Sequence, residues 1–360
     1  MSTKRIEWLD AMRGFTMILV VFSHIKTFGF GDIGGGCHIN SFFMFFRMPL
    51  FFFVSGFIAY KVHQQWTLSV YKQNVLKKLR VQLIPMLFFG LLYTAIVFSP
   101  REDVPVRESI VQFFNSPDKF GYWFTEVLLL MFLIYYTVSL LLRKCKESFR
   151  FIVLACLAIV MFACSLLGQS FYQQYPIANY LCISNLLRYF QFFVFGLIFS
   201  CYQKKLFRFL GNQYVAGAIL VLFFGTYWFH MHYMRDLSGS AALVGDKLLQ
   251  LSTRYLGVIS VLTIFYHYQG FFSSYTFVGR GLQYIGKRTL DVYLLHYFFL
   301  PHIPQVGAYF AQNSNLVLET TTTFVLALLV ICFCLIVSNI IRISPFLSYY
   351  LLGVKRENKR

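Results

Sequence analysis

Long apolar runs alternate with short polar, mostly basic stretches along the whole chain. The runs are Leu9–Phe28, Asn40–Tyr60, Leu83–Phe98, Tyr122–Leu142, Phe149–Gly168, Ile183–Cys201, Val215–His232, Leu248–His267, Leu290–Phe310 and Leu316–Ile341. A membrane-spanning helix needs about 20 largely apolar residues. The pattern therefore predicts an all-α polytopic membrane protein of about ten transmembrane helices. No internal repeat and no charged or Pro/Gly-rich linker divides the chain. It reads as one integral membrane domain, 1–345, followed by a basic cytoplasmic tail, 346–360.

Orientation follows from where the Lys and Arg residues fall. With the N-terminus cytoplasmic, inside segments hold Lys61, Lys72, Lys77, Lys78 and Arg80, then Arg143, Lys144, Lys146 and Arg150, then Lys204, Lys205 and Arg208. They also hold Arg280, Lys287, Arg288, Arg342 and the terminal basic run. Outside segments hold only Arg101, Arg107, Lys119, Arg235 and Lys247. An odd helix count would destroy this alternation, so both termini are expected to be cytoplasmic.

Composition supports the membrane class and narrows the partners. Of 360 residues, 58% are hydrophobic and only 13% charged, about half the charged fraction of a soluble domain. The net charge of +18 does not imply nucleic acid, because the basic residues are scattered over short loops rather than gathered on one face. The eight cysteines form no spaced framework. Cys37 and Cys182 both fall in outward loops, which leaves a disulfide between them open. Lys4 and Arg5 precede an apolar run too long for a signal-peptide core, so the first helix is expected to stay in place.

Ionisable residues inside spans are costly and tend to line cavities or pair with one another. Asp10, Arg13, Asp291 and His296 fall toward the inner face. His24, Arg47, Glu126, Arg188 and Arg254 fall toward the outer one. Arg13 and His24 are eleven positions apart, about three helical turns, so one helix face presents both, roughly 16 Å apart along the axis. That face could hold a long thin molecule with its charged end inside and its reactive end at His24. Blander readings stand beside this one. Arg13 and Arg47 also suit snorkelling anchors, His24 a core histidine on a backbone carbonyl, and Glu126 half of a buried ion pair.

Four blocks, in order, resemble one family. Arg5-Ile6-Glu7-Trp8-Leu9-Asp10-Ala11-Met12-Arg13-Gly14, followed after ten intervening residues by His24, resembles the opening helix of the acyltransferase family 3 membrane proteins. Arg47-Met48-Pro49-Leu50-Phe51 resembles their second span, and Lys77-Lys78-Leu79-Arg80 through Pro85 the basic approach to the third. Gly286-Lys287-Arg288-Thr289-Leu290-Asp291-Val292-Tyr293-Leu294-Leu295-His296 is similar to their late Gly-x-x-Ser-Leu-x-Ile-Tyr-x-x-His block. Two positions depart: Arg47 stands where the family often has His, and Lys77 where it has the first of two arginines. A guanidinium fork is therefore not available at Lys77.

The resemblance implies an enzyme, a membrane-bound O-acyltransferase moving an acyl group, acetyl first of all, from acyl-CoA to a hydroxyl. The implied acceptor is a cell-surface glycan or glycolipid precursor, and the implied location a bacterial inner membrane, among membrane lipids. No hydrolase-like domain is expected after the last span, and with it direct passage of the acyl group to the acceptor is expected. The donor phosphates are expected at Arg13, Lys77, Lys78 and Arg80, with Asp10 beside Arg13. His24 is expected to act as general base or transient acyl carrier. Glu126 is expected to orient the imidazole, and Arg47 or Arg188 to stabilise the oxyanion. No metal and no nucleic acid are expected.

The main alternative from another class is a transporter or flippase for a glycan-lipid intermediate, which would leave its cargo covalently unchanged. A non-catalytic assembly or sensor protein is the third reading. Two further signals point nowhere. Gly34-Gly35-Gly36 lacks the Gly-Lys-Ser/Thr ending of a phosphate loop, and His230 and His232, two apart, face different ways on a helix rather than toward one metal.

Overall fold

The apolar runs fold as helices in the computed structural model, which describes residues 6–31, 38–62, 64–166, 168, 171–172, 174–234, 240–313 and 315–354. The first elements are α1 (Glu7–Gly29), α2 (Ile39–Ala59), α3 (Leu68–Glu102), α4 (Val106–Asn115), α5 (Trp123–Leu141) and α6 (Glu147–Ser165). After them come α7 (Pro176–Tyr180), α8 (Ile183–Cys201), α9 (Gln203–Leu210), α10 (Gln213–Tyr233) and α11 (Gly245–His267). The last are α12 (Phe277–Lys287), α13 (Thr289–Phe299), α14 (Pro304–Gln312), α15 (Leu316–Ile343) and α16 (Pro345–Leu351). Among the described residues there is no strand, and nine helices are long and apolar enough to cross a membrane. Large apolar side chains such as Ile159, Val221, Leu222 and Ile340 stand exposed on them, as lipid-facing surface requires.

Two elements depart from the apolar pattern. The third span starts earlier than its apolar run, because Thr67 caps a helix at Leu68: its Oγ1 accepts from the Val70 amide at 3.3 Å. The basic Lys77–Arg80 stretch therefore lies within α3, just where it passes through a π-helical turn at Leu79–Leu83. The expected ninth span, Leu290–Phe310, is broken. It folds as α13 and α14 with residues 300–303 non-helical between them. Pro301 and Pro304 explain the break, since proline lacks an amide donor and turns the preceding residue away from helical geometry.

By internal contacts the chain falls into two units whose boundaries cut through α2, α8, α13 and α15. One holds residues 1–54, 199–289 and 300–332; the other holds 55–198, 290–299 and 333–360. In the first, Ala11, Met12, Val21 and Phe22 of α1 are fully or almost fully buried. In the second, Gly56 packs so closely on α8 that a Cβ there would lie 2.0 Å from the Phe193 carbonyl oxygen. Asp291 is buried in this unit, accepting from Ser338 Oγ at 2.6 Å and from Arg342 Nη2 at 2.5 Å. These bonds tie α13 to α15. The terminal run beyond residue 354 lies outside the described residues, as do Lys4, Arg5, Gly34–Gly36, Cys37 and Arg235.

Candidate functional site

The opening helix is fastened residue by residue. Both carboxylate oxygens of Glu7 accept from Ser274, Oε2 from its amide at 2.8 Å and Oε1 from its hydroxyl at 2.9 Å. Trp8 meets Phe207 edge to face at 5.5 Å. Arg13 is half-buried, donates from Nη2 to Thr289 Oγ1 at 2.9 Å, and lies 3.5 Å from Asp10. Directly after it, Gly14 meets α12: a Cβ on Gly14 would fall 2.0 Å from the Leu282 carbonyl oxygen. Small residues allow such close backbone approach between membrane helices. The Leu-Asp-x-x-Arg-Gly block is thus a helix crossing with one cation held beside it.

Eleven residues on, α1 changes form. Regular α-helix ends at His24, and Ile25–Gly29 make a π-helical turn closed by the Phe30 amide donating to the Ile25 carbonyl at 2.9 Å. His24 is half-buried, with its ring 5.7 Å from that of Phe28. Lys26 forms an ion pair with Glu319 at the start of α15. Gly29 accepts from the Ile303 amide at 2.8 Å, and a Cβ on it would lie 2.8 Å from the Pro301 carbonyl oxygen. The C-terminal end of α1 is therefore stapled to the break between α13 and α14.

Of the other expected site residues, Arg47 belongs to the same unit as His24 and is half-buried on α2. Glu126 and Arg188 belong to the second unit, half-buried on α5 and α8, which also meet through the stacked rings of Trp123 and Tyr189, 5.6 Å apart. Glu126 Oε2 accepts from the Cys182 thiol at 3.4 Å. Burial, with the Glu126 charge adding to it, pushes the Cys182 thiol well above its usual pKa, so it stays a donor. Lys77 is exposed on α3. Lys78 places Nζ 3.2 Å from the Phe132 ring centre, and the Arg80 guanidinium lies 4.0 Å over Tyr349. Both cations are drawn onto aromatic faces of their own unit.

Residues 6–342 match the family described as "Acyltransferase domain", the acyltransferase 3 family. The chain belongs to this family. It is a membrane acyltransferase, with nearly its whole length inside the matched region. No curated protein and no solved structure matches the chain significantly.

Several groups that hold this acyltransferase together are not signalled by span charges alone. Thr289, which receives Arg13, occupies the place of the family's late-block Ser, so a hydroxyl there was the available clue. Glu319 was visible only as a carboxylate at the start of the last apolar run. Lys119, assigned by charge to an outer loop, is fully buried and donates from Nζ to the carbonyls of Phe114, Ser116 and Asn179 at 2.7–2.9 Å. His296 turns Nδ1 toward the Tyr293 carbonyl at 2.8 Å in the core. His230 pairs with Asp246 at 2.8 Å, whereas His232 is exposed and directs Nδ1 to the Trp228 carbonyl.

Proposed function

We propose that the protein transfers an acetyl group from acetyl-CoA to a hydroxyl of a cell-surface glycan or glycan precursor at the bacterial inner membrane. The observation that supports this most is the division of labour along α1. Arg13 is oriented by Thr289 and Asp10 while its side chain keeps 26% of its surface exposed. His24, on the same helix face roughly 16 Å away, sits half-buried where regular helix gives way to the π turn. π turns inside helices recur at functional sites.

In this reading Arg13 meets a phosphate of the donor from the cytoplasmic side, its guanidinium being suited to bidentate phosphate contact. His24 takes the proton of the acceptor hydroxyl as that oxygen attacks the thioester carbonyl. The tetrahedral adduct collapses, the carbon–sulfur bond breaks, and the proton passes to the leaving thiolate to give free CoA. Transient acylation of the imidazole itself reaches the same products in two steps. Arg47, in the same unit as His24, supplies charge for the developing oxyanion.

The test supplies membranes containing the protein with acetyl-CoA labelled in the acetyl group. The proposal requires the label to leave CoA and appear as an alkali-labile ester on envelope glycan, only when the protein is present. Label that stays on CoA while unmodified glycan-lipid crosses the bilayer would favour a transporter instead.

A further inference from the structure

The π turn that follows His24 is held from two sides. A five-residue π turn is uncommon because it strains the helix, and it persists where neighbouring structure holds it. On one side Lys26, its second residue, pairs with Glu319 in the first turn of α15, and both side chains are largely withdrawn from solvent. Lys26 also lies 5.8 Å from the centre of the Phe30 ring that follows the turn. On the other side the last residue, Gly29, takes the Ile303 amide on its carbonyl. Within the turn, Thr27 Oγ1 donates back to the Ser23 carbonyl at 3.1 Å, and Phe28 sets its ring against His24.

A withdrawn ion pair adds little to stability, because desolvation offsets most of its attraction. Such pairs are better suited to fixing one geometry among several. Inserting an extra residue per turn changes the rotation of everything beyond His24 relative to a straight α-helix, and with it the wall that the imidazole faces.

We propose that Lys26 and Glu319 are positioning residues: their ion pair holds the π turn whose Phe28 ring packs against the His24 imidazole, and so fixes that imidazole at the acyl transfer site. This rests on His24 acting as proposed above, and it goes further by naming what orients it. Neither residue touches substrate. They act on the turnover step and leave donor binding alone.

The experiment compares the full-length wild-type protein with Glu319→Gln and Glu319→Asp, purified in detergent and matched for thermal unfolding. Three quantities are read: kcat, the KM for acetyl-CoA, and the rate at which diethylpyrocarbonate modifies His24, mapped by mass spectrometry. Glu319→Gln is expected to lower kcat about tenfold, leave the donor KM unchanged and alter the His24 modification rate, with Glu319→Asp recovering part of each. If Glu319→Gln fails to fold, Lys26→Gln is read in the same way. An unchanged kcat and modification rate overturns the inference. So does a loss that tracks thermal stability alone. A changed modification rate in a protein whose His24→Ala variant stays fully active would retain the positioning link and remove the catalytic reading of His24.

Discussion

Gly14 of α1 and Gly286 of α12 mark a crossing where the two backbones nearly touch. A Cβ on Gly286 would stand 1.8 Å from the Asp10 carbonyl oxygen, and one on Gly14 2.0 Å from that of Leu282. This crossing joins two blocks of sequence more than 270 residues apart, and it sets the register in which Arg13 reaches Thr289. Family blocks that look like substrate motifs are here partly a packing requirement.

Gly14→Ala is therefore expected to force the helices apart and destabilise the protein by about 1–3 kcal/mol or more, the usual cost of overpacking. The matched control lies on α12, the helix that Gly14 packs against. Gly281 has nothing within 4 Å of its would-be Cβ, so Gly281→Ala should leave stability unchanged or raise it by about 0.5–1 kcal/mol through reduced backbone entropy. Thermal unfolding of both variants in one detergent checks the pair.

The buried Asp291 carboxylate accepts from Ser338 and Arg342. Asp291→Ala should cost about 1–3 kcal/mol, because it leaves Ser338 and the partly exposed Arg342 without their acceptor. Adding Arg342→Met should return part of that loss. A double variant less stable than Asp291→Ala would show that the pair does not act as a unit, and unfolding midpoints for the four proteins of the cycle decide it.

Lys119 takes an unusual conformation, with φ of 50°, and Phe120 beside it has φ of 52°. Its buried ammonium joins three carbonyls, including that of Asn179, sixty positions away. Lys119→Met keeps the volume and removes the donor. A destabilisation of about 1.5–3 kcal/mol is expected, the scale of hydrogen bonds to charged groups. Arg107 carries its cation on an exposed site, and Arg107→Gln should be silent in the same assay.

Donor affinity tests Arg13 separately. Arg13→Gln should raise the KM for acetyl-CoA about tenfold, equivalent to about 1.4 kcal/mol. Thr289→Val, which removes the acceptor that orients the guanidinium, should raise it less. An unchanged KM in Arg13→Gln would place the phosphates elsewhere.

The spans were legible because lipid imposes a simple rule, an apolar run of sufficient length, and that rule needs no knowledge of neighbours. It failed for Leu290–Phe310, where Pro301 and Pro304 break a run that is apolar enough to cross but is not one helix. It also placed the start of the third span too late, since the cap at Thr67 and the basic turns before Leu83 belong to the helix without being apolar. At the site, Arg13 and His24 could be placed on one face from spacing alone. Their partners could not, because Thr289, Glu319 and Gly286 lie hundreds of residues away in sequence and only the folded chain brings them near. The π turn at Ile25–Gly29 has no composition signal either; it depends on what Lys26 and Gly29 meet.

The most direct measurement is the rate of label transfer from acetyl-CoA to the glycan acceptor by His24→Ala in membranes, with the variant shown to unfold at the wild-type temperature. Loss of the acid–base group should lower turnover by about 10²-fold or more while CoA still binds. Turnover at the wild-type level in that correctly folded variant would contradict the account.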